Sequence, residues 1–373
     1  MKILFFANTD WYLYNFRLSL AQSLRNAGHE VVLLSPSGDY APRLVEAGFR
    51  WLEFNFSRQG INPVAELNTI SALRRVYQDE KPDLVHHFTI KCVLYGSFAA
   101  RRAGIGAIVN SITGLGYVFS DQFPARVLRL LVKRLYRSAV AGTQVIFQNP
   151  DDRDLFLNLK LVQPEQATLI LGSGVNPDRF SPMTEPDNLP VVVLPARMLW
   201  DKGIAEFVRA AQILRTEGLR ARFALVGKSD PQNPNSISYD QLCQWQKEGD
   251  VEWWGWQENI ASVFAMAHVI CLPTSYREGV PRVLIEAAAC GKPLVATDVP
   301  GCREVVRSEE NGLLVPPRDA EKLADALRRL IRDRELRLRM GARGRELVLA
   351  EFSDDRVFAA TRKVYQQALD RAI

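Results

Sequence analysis

The stretch VICLPTSYREGVPRVLIEAAACGKPLVATDV, residues 269–299, reads as strand, loop, helix and strand. The apolar run VICLPTS ends near Ser275. Pro281 suits the first turn of a helix, where its missing N–H would have no partner anyway. That helix runs through RVLIEAAAC to Gly291, and PLVATDV resumes as a strand. Two buried strands joined by one helix form a parallel βαβ unit.

The same alternation extends in both directions. KILFFAN is followed by an amphipathic segment near 14–27, then EVVLLS and FRWLEF, and a helix near 63–79. DLVHHF, AIVNSI and QVIFQN follow, with helices near 93–103 and 124–140 between them. After TLILGSGVNPDRFSP the chain turns proline-rich and polar, and the pattern restarts with VVVLPAR, RFALVG and VEWWGW. The expectation is two doubly wound α/β domains facing an inter-domain cleft. The first spans residues 1–176, a linker 177–190, the second 191–355, and a C-terminal helix 356–373 packs back on the first domain. Ligands of such sheets bind beyond the carboxyl ends of the strands, so residues just after strands are the site candidates.

Composition limits the alternatives. A chain of 373 residues is long for one core, and 47% hydrophobic content is ordinary for a globular protein. No run of about 18 apolar residues suggests a membrane span. Five scattered cysteines lack a C-x-x-C pair, which points to a reducing compartment and away from zinc. Residues 1–180 hold 20 of the 47 basic and 15 of the 42 acidic side chains, so the net +5 lies wholly in that half. This asymmetry favours an anionic partner for the N-terminal half. No nucleic-acid partner is expected.

Within the opening stretch, Glu278 falls on the loop and Glu286 in the helix. The amides near Gly279 and Val280, with the helix dipole, make a positive site suited to phosphate. A carboxylate is a double acceptor matched to a vicinal diol such as a ribose. The bland alternative is a solvated loop acid and a surface helix acid. In PARMLWDKGI, Arg197 and Lys202 lie between a strand and a helix, where they can clamp a diphosphate.

Taken together, PARMLWDKG, REGVPRVLIEAAACGKPLVATDVPGCREVV and NGLLVPP resemble the donor domain of glycosyltransferase family 4, of GT-B architecture. YNFRLSLAQSLRNAGHEVVLLSP and TGLGYVF resemble bacterial members that build capsule, O-antigen and lipid-linked oligosaccharides. The resemblance implies a retaining, metal-independent transferase that moves a sugar from a UDP-sugar to a polyprenyl-diphosphate-linked saccharide. It implies that Arg197 and Lys202 neutralise the donor diphosphate, that Glu278 meets the transferred sugar, and that Glu286 meets the ribose. The amides of Gly279 and Val280 would hold phosphate or sugar oxygens, and Trp256 the base. An Asp-x-Asp in DDRD, residues 151–154, reads as an acidic helix start rather than a metal site.

The N-terminal half departs from the family pattern. NTDWYLYNFR carries no glycine after the first strand, so a diphosphate contact there would need Asn15 or Arg17. DLVHHFTIK offers His87, Thr89 and Lys91 as acceptor contacts or proton carriers, with Glu278, His87 and Lys91 the catalytic candidates. A buried, satisfied histidine is the alternative. Gly114 and Gly116 follow another strand. Arg126, Arg129, Lys133, Arg134 and Arg137 fall at helical spacing beside an apolar face. This pattern suits either an anionic membrane surface or a helix packed on its own sheet. The expected location is cytoplasmic, on the inner face of the cytoplasmic membrane. Two other readings remain, a UDP-sugar epimerase of the same fold and a two-lobed sugar-binding protein without catalysis.

Overall fold

A computed structural model of the protein describes residues 1–57, 62–114, 126–231 and 233–372. The chain forms two compact units, residues 1–174 with 354–373, and residues 175–353. Both are parallel sheets covered by helices, as expected.

The first sheet contains β1 (Lys2–Phe6), β2 (Glu30–Ser35), β3 (Arg50–Glu53), β4 (Leu84–Phe88), β5 (Ala107–Ile112), β6 (Gln144–Phe147) and β7 (Ala167–Leu169). Its order is β3-β2-β1-β4-β5-β6-β7. Every residue of β4, β5 and β6 is buried, as continuous apolar runs require when helices cover both faces. The helix Asp354–Asp370 belongs to this unit. Its Val357, Phe358, Val364 and Tyr365 join the core of Ile3, Phe5 and Phe88.

The second sheet contains β8 (Val191–Pro195), β9 (Arg222–Val226), β10 (Glu252–Gly255), β11 (Val269–Leu272), β12 (Leu294–Thr297) and β13 (Gly312–Val315), in the order β10-β9-β8-β11-β12-β13. The direction of winding reverses between β1 and β4 in one sheet and between β8 and β11 in the other. Loops diverge at such a reversal and leave room for a ligand at the carboxyl edge.

The stretch 177–190 is not a linker. Phe180 is buried, and Arg345 donates to the carbonyls of Pro177 and Phe180 at 3.0 and 2.6 Å. Glu185 accepts from Arg337 at 2.8 Å, so the segment is fastened to the second unit. Of the polar side chains that suggested a linker, Glu185 supplies one attachment, and backbone carbonyls supply the others.

Candidate functional site

The second unit brings Lys202 and Glu278 together at the β8/β11 reversal. After β8 the chain makes a 3-10 turn, Trp200–Lys202, ending at Gly203 in the left-handed region (φ 75°). A Cβ on Gly203 would lie 2.0 Å from the carbonyl oxygen of Pro273, so only glycine lets this turn press against the end of β11. Ser275 N and Thr274 Oγ1 both reach the Asp201 carbonyl, at 2.9 and 3.0 Å. The two loops are therefore locked backbone to backbone.

This lock brings Lys202 onto Glu278. Lys202 Nζ donates to Glu278 Oε1, and Thr274 Oγ1 stands 3.3 Å from the same oxygen. Both charged side chains are largely covered, 13% and 17% exposed. Gly301 (φ 92°) closes the site from behind. A Cβ there would meet the carbonyl oxygens of Gly279 and Glu278 at 2.6 and 2.8 Å. Glu304 accepts from Gly301 N at 2.5 Å.

Gly279 and Val280 are buried ahead of the helix Arg282–Ala289. Pro281 is the N-cap of that helix, one position earlier than the sequence suggested. Glu286 lies inside the helix and pairs with Arg282 at 2.8 Å. Burial pushes the Glu286 carboxyl above its usual range, against the pull of Arg282 and Arg179. Arg197 is exposed, its guanidinium 3.9 Å from Asp230. Trp256 follows β10, half exposed, with Lys228 Nζ 5.8 Å from its ring centre.

The first unit contradicts the proton-carrier expectation for His87. Its side chain is fully buried. Nδ1 donates to Asn110 Oδ1 at 2.8 Å and Nε2 accepts from the Tyr77 hydroxyl at 3.0 Å. Burial pushes its pKa down to about 4, against the Asn110 hydrogen bond, so the ring stays neutral and holds the core together. His86, on the other face of β4, is also buried and bridges Tyr365 and Ser111, at 2.7 Å each. Neither histidine offers a nitrogen to a ligand.

The remaining acceptor-side residues scatter along the same edge. Lys91 pairs with Glu66 at 2.9 Å and donates to the Ser57 carbonyl at 2.9 Å. Thr89, just after β4, takes φ 72°, an outlier for a β-branched residue. Asn15 Nδ2 donates to the Trp11 carbonyl at 2.9 Å. Arg17 is buried beneath Tyr12 and over Phe88. Gly114 (φ 124°) follows β5, while Gly116 lies outside the described residues.

The basic segment forms the helix Arg126–Val140, but the side chains of Arg126 and Arg129 lie outside the described residues. Arg134 is exposed and Lys133 half-buried. Arg137 is bound internally, donating to the carbonyls of Lys160 and Leu159 at 3.0 and 3.1 Å. Asp151 and Asp152 open the helix Pro150–Asn158, as the acidic start suggested. Among the described residues no three His, Cys, Asp or Glu side chains converge. No helix among them is long and apolar enough to cross a membrane.

Sequence reasoning missed Asp201, Gly203, Thr274 and Gly301, which build the site rather than touch a ligand. The signal available was a glycine directly before a helix in WDKG and VPGC.

Known proteins share this architecture. The model for glycosyl transferases group 1 matches residues 189–333, and that for glycosyl transferase 4-like domains matches residues 2–149. A Campylobacter jejuni N,N'-diacetylbacillosaminyl-diphospho-undecaprenol alpha-1,3-N-acetylgalactosaminyltransferase is 28% identical over 99% of both chains. An Escherichia coli UDP-Gal:alpha-D-GlcNAc-diphosphoundecaprenol alpha-1,3-galactosyltransferase is 23% identical over 75% of this chain and 74% of its own. Among solved structures, a glycosyltransferase from Rickettsia africae superposes with a TM-score of 0.81 at 20% identity, covering 99% of this chain and 98% of its own. HepE from Anabaena, solved with UDP, gives 0.78 at 18% identity, covering 98% and 99%.

Proposed function

The chain belongs to the group 1, family 4-like glycosyltransferases, and from that premise we propose that it transfers a hexose or N-acetylhexosamine from a UDP-sugar to a polyprenyl-diphosphate-linked saccharide. The transfer retains anomeric configuration and needs no metal. It serves the assembly of a bacterial surface glycan or glycoprotein glycan, at the inner face of the cytoplasmic membrane.

The observation that carries this reading is Lys202 held on Glu278 at the β8/β11 reversal. As the bond from the sugar's C1 to the diphosphate breaks, negative charge grows on the leaving UDP. Lys202, and the exposed Arg197 from the same loop after β8, offset that charge. The exchange releases the Glu278 carboxylate to accept from hydroxyls of the transferred sugar. Glu286 accepts from the ribose diol, the amides of Gly279 and Val280 meet phosphate or sugar oxygens, and Trp256 lies against the base. The acceptor hydroxyl oxygen forms the new bond to C1 as the bond from C1 to the diphosphate breaks, and the hydroxyl proton passes to an oxygen of the departing diphosphate. Histidine takes no part, because both rings at the β4 edge are sealed.

The two relatives' names support the acceptor class, since each names a saccharide on diphosphoundecaprenol. The test is a panel of nucleotide sugars with lipid-diphosphate-linked saccharides, run in excess EDTA and read by mass spectrometry and by NMR of the new linkage. A lengthened lipid-linked saccharide with retained configuration is expected. Release of UDP with a rearranged free sugar, inversion, or a strict need for manganese or magnesium would overturn the corresponding part.

A further inference from the structure

Among the described residues, one guanidinium of the first unit has no counter-charge. Arg17 ends the π-helical turn Leu13–Arg17 that follows β1, and it is only 5% exposed. Its charge lies over the ring of Phe88, the last residue of β4, at 4.4 Å. It therefore stands at the β1/β4 reversal, the edge where such sheets receive ligands. Single π-turns inserted among helices are frequent at functional sites.

The hydrogen-bond inventory is unbalanced. Arg17 has five N–H donors and no acceptor. Nε and Nη2 donate to the Tyr12 hydroxyl at 3.2 and 2.7 Å, and among the described residues Nη1 meets no acceptor. The Tyr12 oxygen is occupied as an acceptor, so its own proton is left to donate, and no described residue receives it. Asp10, the carboxylate nearest in sequence, is already taken by the amides of Trp11, Tyr40 and Ala41, at 2.8 Å each. His86, on the same side of the sheet, is neutral through its own burial and the Arg17 charge. Stacking on Phe88 accounts for where the guanidinium lies. It supplies no anion, and among the described residues none meets the cation or the spare hydroxyl proton.

We infer that Arg17 and Tyr12 form an anion subsite in the N-terminal unit, and that its occupant is the diphosphate of the prenyl-linked acceptor. A planar guanidinium fork matches phosphate oxygens, and the Tyr12 hydroxyl adds a third donor. The inference rests on the acceptor class proposed above, and it assigns the two phosphate groups of the reaction to different units. The donor diphosphate belongs to Lys202 and Arg197, and the acceptor diphosphate to Arg17.

The test measures binding apart from transfer. Full-length wild type, Arg17→Met and Arg17→Lys are titrated by calorimetry with geranyl diphosphate, geraniol, inorganic phosphate and UDP. Geranyl diphosphate should bind wild type, with geraniol and inorganic phosphate at least tenfold weaker. Arg17→Met should weaken geranyl diphosphate at least tenfold, Arg17→Lys severalfold, and neither should change UDP affinity. If Arg17→Met does not fold, Arg17→Lys carries the comparison, because it keeps the charge and stem but loses the fork. Unchanged geranyl diphosphate affinity, a parallel loss of UDP affinity, or equal affinity for inorganic phosphate would each overturn the subsite. Wild type that binds geranyl diphosphate through Arg17 yet transfers no sugar would sink the proposed reaction and leave the subsite standing. Active transfer by Arg17→Lys with an unchanged KM for the lipid acceptor would do the reverse.

Discussion

Both sheets reverse their winding at one point, and the charges gathered there are arranged in opposite ways. At β8/β11 a lysine and a glutamate already satisfy each other, and both keep some exposure. At β1/β4 the arginine is buried without an acid among the described residues, and the two histidines beside it are sealed and neutral. A satisfied pair binds by exchange, because the ligand's anion must displace Glu278 to reach Lys202. An unsatisfied cation binds by completion. On the proposed function, the first arrangement satisfies both charges in the empty site and returns a free carboxylate when the donor diphosphate takes Lys202. In the inferred subsite, the second leaves donor capacity that an anion would complete.

The sharpest way to break the comparison is to disturb the second edge without touching a charge. Gly203→Ala puts a Cβ 2.0 Å from the Pro273 carbonyl oxygen, where the neighbour is backbone and cannot swing away. Gly218 has almost the same φ, 76° against 75°, with nothing within 4 Å of a new Cβ. Urea unfolding should show Gly203→Ala less stable by about 3 kcal/mol or more, and Gly218→Ala by roughly 1 kcal/mol. Equal losses would mean that only φ matters and that the loops are not locked as described.

Much of the second edge was legible because its chemistry is local. Glu278, Gly279, Val280 and Glu286 share one loop and one helix, so their order along the chain is close to their order in space. Arg197 and Lys202 come from a second strand end, and strand alternation alone placed them. Asp201 and Thr274 were not legible, because a carbonyl receiving a distant hydroxyl leaves no mark in composition. The first edge misled for a physical reason. Alternation along β4 assigns His86 and His87 to opposite faces, but says nothing about whether a face is covered. The helix Asp354–Asp370, from the far end of the chain, brings Tyr365 to His86. Gly96 leaves room for the His87 ring, since a Cβ there would lie 2.5 Å from it. The polar stretch 177–190 misled similarly, because Glu185 finds Arg337 more than a hundred residues away.

Sealed histidines make the first unit sensitive to acid. The folded pKa of His87, about 4, lies below its unfolded value near 6.5. Between these values the unfolded chain binds more protons, so stability is full above about pH 6.5 and falls as pH drops toward 4. The loss from His87 alone should be roughly 3 kcal/mol across that window. Denaturant titrations in a pH series should show a flatter profile for His87→Gln, with a lower plateau at neutral pH from the broken bonds to Tyr77 and Asn110. A profile as steep as wild type would mean that His87 is not the buried neutral group described.

The exchange at the second edge separates two cations that looked alike in sequence. Lys202 is largely covered, whereas Arg197 is 58% exposed and far from ideal contact with Asp230. Lys202→Ala should weaken UDP binding by roughly 1.5–3 kcal/mol, about tenfold to a hundredfold. Arg197→Ala should cost less than about 1 kcal/mol, because water screens an exposed charge. Calorimetry giving equal losses would mean that the difference in burial does not grade the two contributions to the diphosphate.

The smallest effect concerns a basic helix of the first unit. The helix Arg126–Val140 buries Tyr136, Ala139 and Val140 and leaves Arg134 and Leu135 exposed, with Lys133 half-buried. Basic side chains near an anionic leaflet contribute about 1 kcal/mol each, and salt screens them within a Debye length. Co-sedimentation with anionic liposomes at low salt should therefore weaken by about 2 kcal/mol when Lys133 and Arg134 are both replaced by glutamine. Arg137→Gln is the internal control. Its guanidinium holds the carbonyls of Leu159 and Lys160, so the substitution should lower stability and leave liposome binding nearly unchanged. Were Lys133 and Arg134 silent on liposomes, the helix would be a packed element of its own sheet, and the lipid-linked acceptor would be met through another surface of the first unit.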